Sequence, residues 1–283
     1  GDGMSSRLPT YAISHGGGPW PWIKELMPID WDPLEQALQA IPEELETTPE
    51  AILVVTAHWE ARSFTVQGNP NPPMVYDYGG FPPETYEIRY PAPGAPAVAD
   101  RVIELLRSAG LPHDRDDERG FDHGTFVPMY VMYPDAQVPV VQMSIVGSFD
   151  PELHLAAGRA LAPLRDEGIL IVASGLPSYH DLSAMGPASE TPSRIFDEWL
   201  TETMVDLDGA ERSARLANWA AGPMARAAHP REDHFIPLLV AVGAAEGERG
   251  VRTYHEAASL GGHTTSSAYR IGSPVGATTS APA

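Results

Sequence analysis

Apolar positions along the chain fall into two regimes. Residues 11–14 (YAIS), 51–57 (AILVVTA), 138–146 (VPVVQMSIV) and 168–174 (GILIVAS) are short, β-branched and almost continuously apolar. Runs of this kind predict strands covered on both faces. Between them, residues 32–40, 93–110 and 151–165 repeat apolar positions with a helical period, the second having Pro near its start and Gly past its end. Further helices are predicted over 193–206, over 209–221 and from about Pro230. The alternation predicts an α/β fold with a mostly parallel or mixed central sheet flanked by helices. No repeat and no Ser/Gly linker divides the chain, so residues 4–276 read as a single domain. Residues 1–3, ahead of Met4, read as an expression scar, and 277–283 (ATTSAPA) as a flexible tail.

Residues 69–93 (NPNPPMVYDYGGFPPETYEIRYPAP) break the pattern. A loop of this length in a compact domain is expected to be functional, and its aromatic side chains suit a pocket wall better than solvent. Tyr76, Tyr78 and Phe81, with Tyr86 and Tyr90, are therefore candidates to face an aromatic ligand, and Arg89 to meet a carboxylate.

Composition narrows the chemistry. Lys and Arg total 18 against 38 Asp and Glu, a formal charge of -20, which disfavours nucleic acid and anionic membrane surfaces as partners. With no cysteine, a metal must be held by histidine and carboxylate. No run has the length of a membrane span and no signal core opens the chain, so the expected location is cytoplasmic.

The histidines stand at informative places. His15 closes the first strand ahead of Gly16, Gly17 and Gly18, and His58 follows the second inside TAHWE. Ligands of open α/β sheets gather beyond the carboxyl ends of strands. His123 lies in FDHGTFVP, His180 in SYHDL just after the strand 168–174, and His234 in HPREDHFIPLLV. His229 and His234 are five residues apart, about 140° on a regular helix, so at most one of them faces a given metal. His113, His154, His255 and His263 lack such context and read as ordinary surface or satisfied histidines. Clustered neutral imidazoles suit one metal ion with an uncoordinated histidine nearby for proton transfer, a description that fits a zinc hydrolase and an oxygen-activating iron enzyme alike.

The motifs SHGGGP, TAHWE, DHGTFVP, SYHDL and HPREDHFIPLLVAVGAA, in this order, resemble those of the class III extradiol ring-cleavage dioxygenases, the LigB-type superfamily, in its 4,5-DOPA dioxygenase-like branch. The resemblance runs from about Pro9 to Gly272. It implies a LigB-like three-layer fold and His15, His58 and His234 as metal ligands. It further implies His180 as acid/base and His123 as a second uncoordinated histidine of the pocket. The implied reaction opens a DOPA-like catechol with O2 to a muconic semialdehyde, with Fe2+ as cofactor. Protocatechuate-type members hold their metal with two histidines and a glutamate, whereas this chain offers His234 as the third ligand, with Glu232 and Asp233 beside it. Three neutral ligands suit Zn2+ about as well as Fe2+. The competing expectations are a zinc-dependent hydrolase on the same three histidines and a Memo-like interaction protein without catalysis. The expected partners are a small catechol and O2; a homo-oligomer is left open.

Overall fold

The computed structural model describes residues 7–274. The expected scar and tail, and the outer ends of the 4–276 domain, lie outside the described residues. Eight strands form one mixed sheet: β1 (Thr10–Ser14), β2 (Ala51–Ala61), β3 (Phe64–Gln67), β4 (His113–Asp116), β5 (Val140–Val146), β6 (Ile169–Gly175), β7 (Gly250–Ser259) and β8 (Thr264–Ile271). Their order is β4-β3-β5-β2-β6-β1-β8-β7. The four central strands β5, β2, β6 and β1 are mutually parallel, whereas β8 joins β1, and β3 joins β5, antiparallel.

The parallel centre comes from the continuous apolar runs, because each such strand buries side chains on both faces. Ile52 and Val54 join the core on one side of the sheet, with α1 (Asp32–Leu45) and α3 (His123–Met132). Leu53 and Val55 join the core on the other, with α2 (Pro96–Ser108), α4 (Pro151–Leu161), α5 (Glu190–Thr201) and α8 (Pro237–Ala244). Two shorter helices, α6 (Gly209–Ala217) and α7 (Ala225–Ala228), complete the second layer. The result is the α/β arrangement the alternation predicts, in the three layers the resemblance implies.

The structure differs from the sequence reading in specific places. Strands β3 and β4 and the β7–β8 hairpin are absent from it. Strand β8 (TTSSAYRI) is rich in small polar residues, and buried Thr264 and Ser267 satisfy their hydroxyls with neighbouring groups instead of displaying an apolar period. Helix α3 is almost wholly buried, so it shows no polar face by which a helix could be read. The helix expected from Pro230 begins only at Pro237. Proline has no N–H and suits the first helical turn, so Pro237 sets the start and leaves residues 229–236 as turns.

Candidate metal centre

The parallel strands bring three histidines around the end of β6, which lies between β1 and β2. Ser14 pairs with Gly175 on one side of it and Thr56 with Ser174 on the other. His15 continues from β1, its backbone N–H donating to the Gly175 carbonyl at 3.1 Å. His58 sits inside β2, where the register with β5 shifts between Thr56 and Glu60. Such an irregularity re-aims side chains at a strand end, and here the His58 N–H turns back to donate to Thr56 Oγ1 at 3.1 Å. His234 arrives from the turn before α8, its carbonyl accepting from the Leu176 N–H at 3.1 Å. Only glycine permits this crossing, because a Cβ on Gly175 would lie 2.4 Å from the His234 carbonyl oxygen. Gly16 is needed for another reason: its φ of +75° turns the chain so that Trp20 Nε1–H donates to the His15 carbonyl at 2.9 Å.

The three Nε2 atoms converge. His58 Nε2 lies 3.2 Å from His15 Nε2 and 3.3 Å from His234 Nε2, and the ligand atoms of all three lie within 4.8 Å of one another. Two nitrogens bound at ~2.1 Å to one ion are separated by ~3.0–3.4 Å for bond angles between a right angle and the tetrahedral value. Both separations measured from His58 therefore suit ligation of one divalent ion. Carboxylates back two of the ligands from outside: Asp233 Oδ2 is 2.5 Å from His234 Nδ1, and Asp77 Oδ2 is 3.5 Å from His58 Nδ1. For His234 this hydrogen-bond acceptor at Nδ1 selects the tautomer whose Nε2 lone pair faces inward, and the charge of Asp77 favours the same tautomer of His58.

Two further histidines flank the three. The His180 ring stacks on His234 with centroids 3.5 Å apart and planes at 14°. His123 opens α3 with its ring 4.0 Å from that of His58, its Nδ1 bonded to Asp77 Oδ1 at 2.6 Å. His229 is fully buried behind the site and donates from Nε2 to the Pro177 carbonyl at 2.8 Å, bracing the loop that carries His180.

The 69–93 loop covers the His58 and His123 side. The Tyr78 ring lies 5.6 Å from His123 and 5.4 Å from Phe81, and Phe81 in turn rests on Gly18. Tyr76 stands one ring back, against Tyr78 and Phe126. The loop's hydroxyls are used internally: Tyr76 donates to the Ile88 carbonyl, Tyr78 to Thr85 and Tyr86 to Tyr78. Tyr90 is buried and bonds to the Tyr133 carbonyl, which makes it core rather than wall. Arg89 is exposed and lines a separate cavity of about 480 Å³ with Tyr76 and several prolines, away from the histidines.

The profile of the family described as "Catalytic LigB subunit of aromatic ring-opening dioxygenase" matches residues 12–270. The chain belongs to this family. The dioxygenase tasH of Hapsidospora irregularis is 40% identical over 264 residues, spanning 87% of this chain and 81% of that protein. The 4,5-DOPA dioxygenase extradiol of Escherichia coli K12 is 36% identical over 262 residues, spanning 91% and 92% respectively. Among solved structures, uncharacterized protein JW3007 of Escherichia coli K12 matches with a TM-score of 0.75 and 31% identity, covering 94% of this chain and all 100% of that one. The chain is thus an extradiol aromatic ring-opening dioxygenase, of a family of non-haem metal enzymes that act with O2 on a small molecule.

The electrostatics of this dioxygenase favour cation binding. Burial, and then the neighbouring imidazoles, push His15 and His234 well below the ordinary histidine range; burial and His123 bring His58 down to about 3. All three are neutral at pH 7, the form a metal requires. Burial also lowers His180, against the opposing charges of Asp233 and Asp181. Asp77 feels burial upward, but the bond from His123 and the charges of His123 and His58 outweigh it, and the carboxyl lies below its usual range. Sequence reasoning passed over Asp77. Its signal was an acid placed between tyrosines in the YDYGG stretch of the 69–93 loop.

His154, read from sequence as an ordinary or satisfied residue, is a satisfied core histidine. Its Nδ1 donates to the Asp150 carbonyl at 2.7 Å and its Nε2 accepts from the Val146 N–H at 3.1 Å, so protonation would remove that acceptor. Burial lowers both His154 and His229 to about 4. With an unfolded value near 6.5, the unfolded chain binds more protons over this window. The stability each provides is present above about pH 6.5 and is lost as pH falls toward 4. Denaturant titration of the metal-free protein is expected to give roughly 2 kcal/mol less stability per residue at pH 5 than at pH 7. Equal stabilities at the two pH values would contradict this assignment.

Proposed function

We propose that this dioxygenase holds Fe2+ with His15, His58 and His234 and opens the ring of a single-ring, DOPA-like catechol to a muconic semialdehyde. The observation that carries the reading is the convergence of the three Nε2 atoms, with His180 against one of these imidazoles and His123 against another. Iron, when bound, supplies the redox chemistry that couples an electron-rich ring to O2, which a redox-inert ion does not.

The protein's own groups supply the rest. His180, uncharged at neutral pH, is placed to take a proton from a catechol hydroxyl. His123, with Nδ1 committed to Asp77, keeps Nε2 free to take up the proton of the second catechol hydroxyl and return it to oxygen as the ring opens. Tyr78 and Phe81 offer an aromatic wall to the ring and keep water from that side. The Tyr78 hydroxyl is committed to the Thr85 carbonyl and Phe81 has none, so the pair selects shape rather than hydrogen-bonding pattern. Arg89 has no part in this reading, because it faces the separate cavity.

The test is oxygen consumption by metal-stripped protein reconstituted anaerobically with Fe2+ or Zn2+ and offered a panel of catechols. Uptake with Fe2+ alone, matched one for one by a yellow semialdehyde, is the expected result. Full metal occupancy with no uptake for any catechol would overturn the reading in favour of the zinc hydrolase or the interaction protein.

A further inference from the structure

Asp77 is the point at which the 69–93 loop reaches the histidine cluster. Its Oδ1 accepts both the His123 backbone N–H at 3.1 Å and the His123 ring Nδ1–H at 2.6 Å. Its Oδ2 stands 3.5 Å from His58 Nδ1. One carboxylate thus faces a metal-site imidazole and a non-liganding imidazole together, and it is delivered by a loop, while His58 comes from β2 and His123 from α3. The loop itself is closed on its own backbone by Tyr76, Tyr78 and Tyr86 and fastened to the α3 approach by the Met74–Phe121 bridge. Asp233, which backs His234, adjoins that ligand in sequence and needs no loop to bring it.

We infer that Asp77 is a positioning residue shared by His58 and His123, through which the placement of the 69–93 loop and the binding of the metal ion depend on each other. An imidazole binds a cation through Nε2 only with its proton on Nδ1, and a carboxylate facing Nδ1 favours that tautomer and raises the basicity of the ligand. Metal binding draws the His58 Nδ1–H toward Asp77 and so strengthens the loop's attachment. By reciprocity, a loop held in place tightens the metal. The same carboxylate fixes the His123 ring, so an open loop leaves both the carboxylate behind His58 and the orientation of His123 unset.

The inference rests on the three-histidine reading of the site, and the experiment separates the two. Metal-free wild type and the variants Asp77→Ala, Asp77→Asn, His15→Ala and His234→Ala are titrated with Zn2+ against a chromophoric chelator. Each is also digested with trypsin, with and without Zn2+, following cleavage after exposed Arg89 within the loop. Asp77→Ala is expected to bind Zn2+ about 10-fold more weakly, at the lower end for loss of a ligand's outer partner. It is also expected to lose the protection from cleavage that Zn2+ gives the wild type. Asp77→Asn keeps an acceptor oxygen and the side chain's shape, so it should fold like wild type and fall between the two. If both Asp77 variants keep wild-type affinity and Zn2+-dependent protection while His15→Ala and His234→Ala lose the metal, the inference is wrong and the site stands. If those two histidine variants bind Zn2+ like wild type, the three-histidine site itself is wrong.

Discussion

His234→Ala is expected to lose the metal, and oxygen consumption with it. The His234 imidazole is buried, its Nδ1 is held by Asp233 at 2.5 Å, and its Nε2 stands 3.3 Å from that of His58. Alanine removes one of three neutral donors and leaves the Asp233 carboxylate without its imidazole hydrogen bond. Removing only an outer hydrogen-bond partner of a ligand costs 10–100-fold in affinity, so losing the ligand itself should cost more than about 100-fold. Metal analysis after reconstitution and desalting should find close to one Fe2+ per wild-type chain and near background for the variant. Wild-type stoichiometry in the variant would remove His234 from the ligand set.

His180→Ala is expected to separate chemistry from metal binding. The ring stacks on His234 but brings no nitrogen into the convergent set, so the iron content should stay at the wild-type level. General acid–base groups contribute about 10²–10⁴-fold, and turnover of the best catechol should fall within that range. The stacked contact also supports His234, which is why metal content must be measured on the same sample. Unchanged kcat would end the acid/base assignment, and lost metal would make His180 a support of the centre instead.

How much of this was legible beforehand depends on the distance over which each signal acts. The four central strands and most helices are local patterns of burial, and they stand close to where the apolar runs place them. The β7–β8 hairpin escaped because Thr and Ser interrupt its buried apolar positions, and their hydroxyls are satisfied by partners far away in sequence, such as Asp197 for Ser267. Asp77 escaped for the same reason, since its two histidine partners are 19 and 46 positions away and the YDYGG pattern around it points to neither. Tyr90 and Arg89 show the converse. Both belong to a stretch that reads as a pocket wall, yet the fold buries Tyr90 and sets both residues beside a different cavity.

The sequence by itself determined the layered α/β class, the absence of thiolate ligands and the five motif histidines, because these follow from burial periodicity and from residue types. Only the tertiary structure decided which nitrogens meet. It placed β6 between the two histidine-bearing strands, shifted β2 out of register at His58, laid the His234 turn over Gly175 and carried Asp77 in on a loop. A metal centre is a matter of a few ångströms among groups that the chain holds as many as 219 positions apart, and only packing sets distances of that kind.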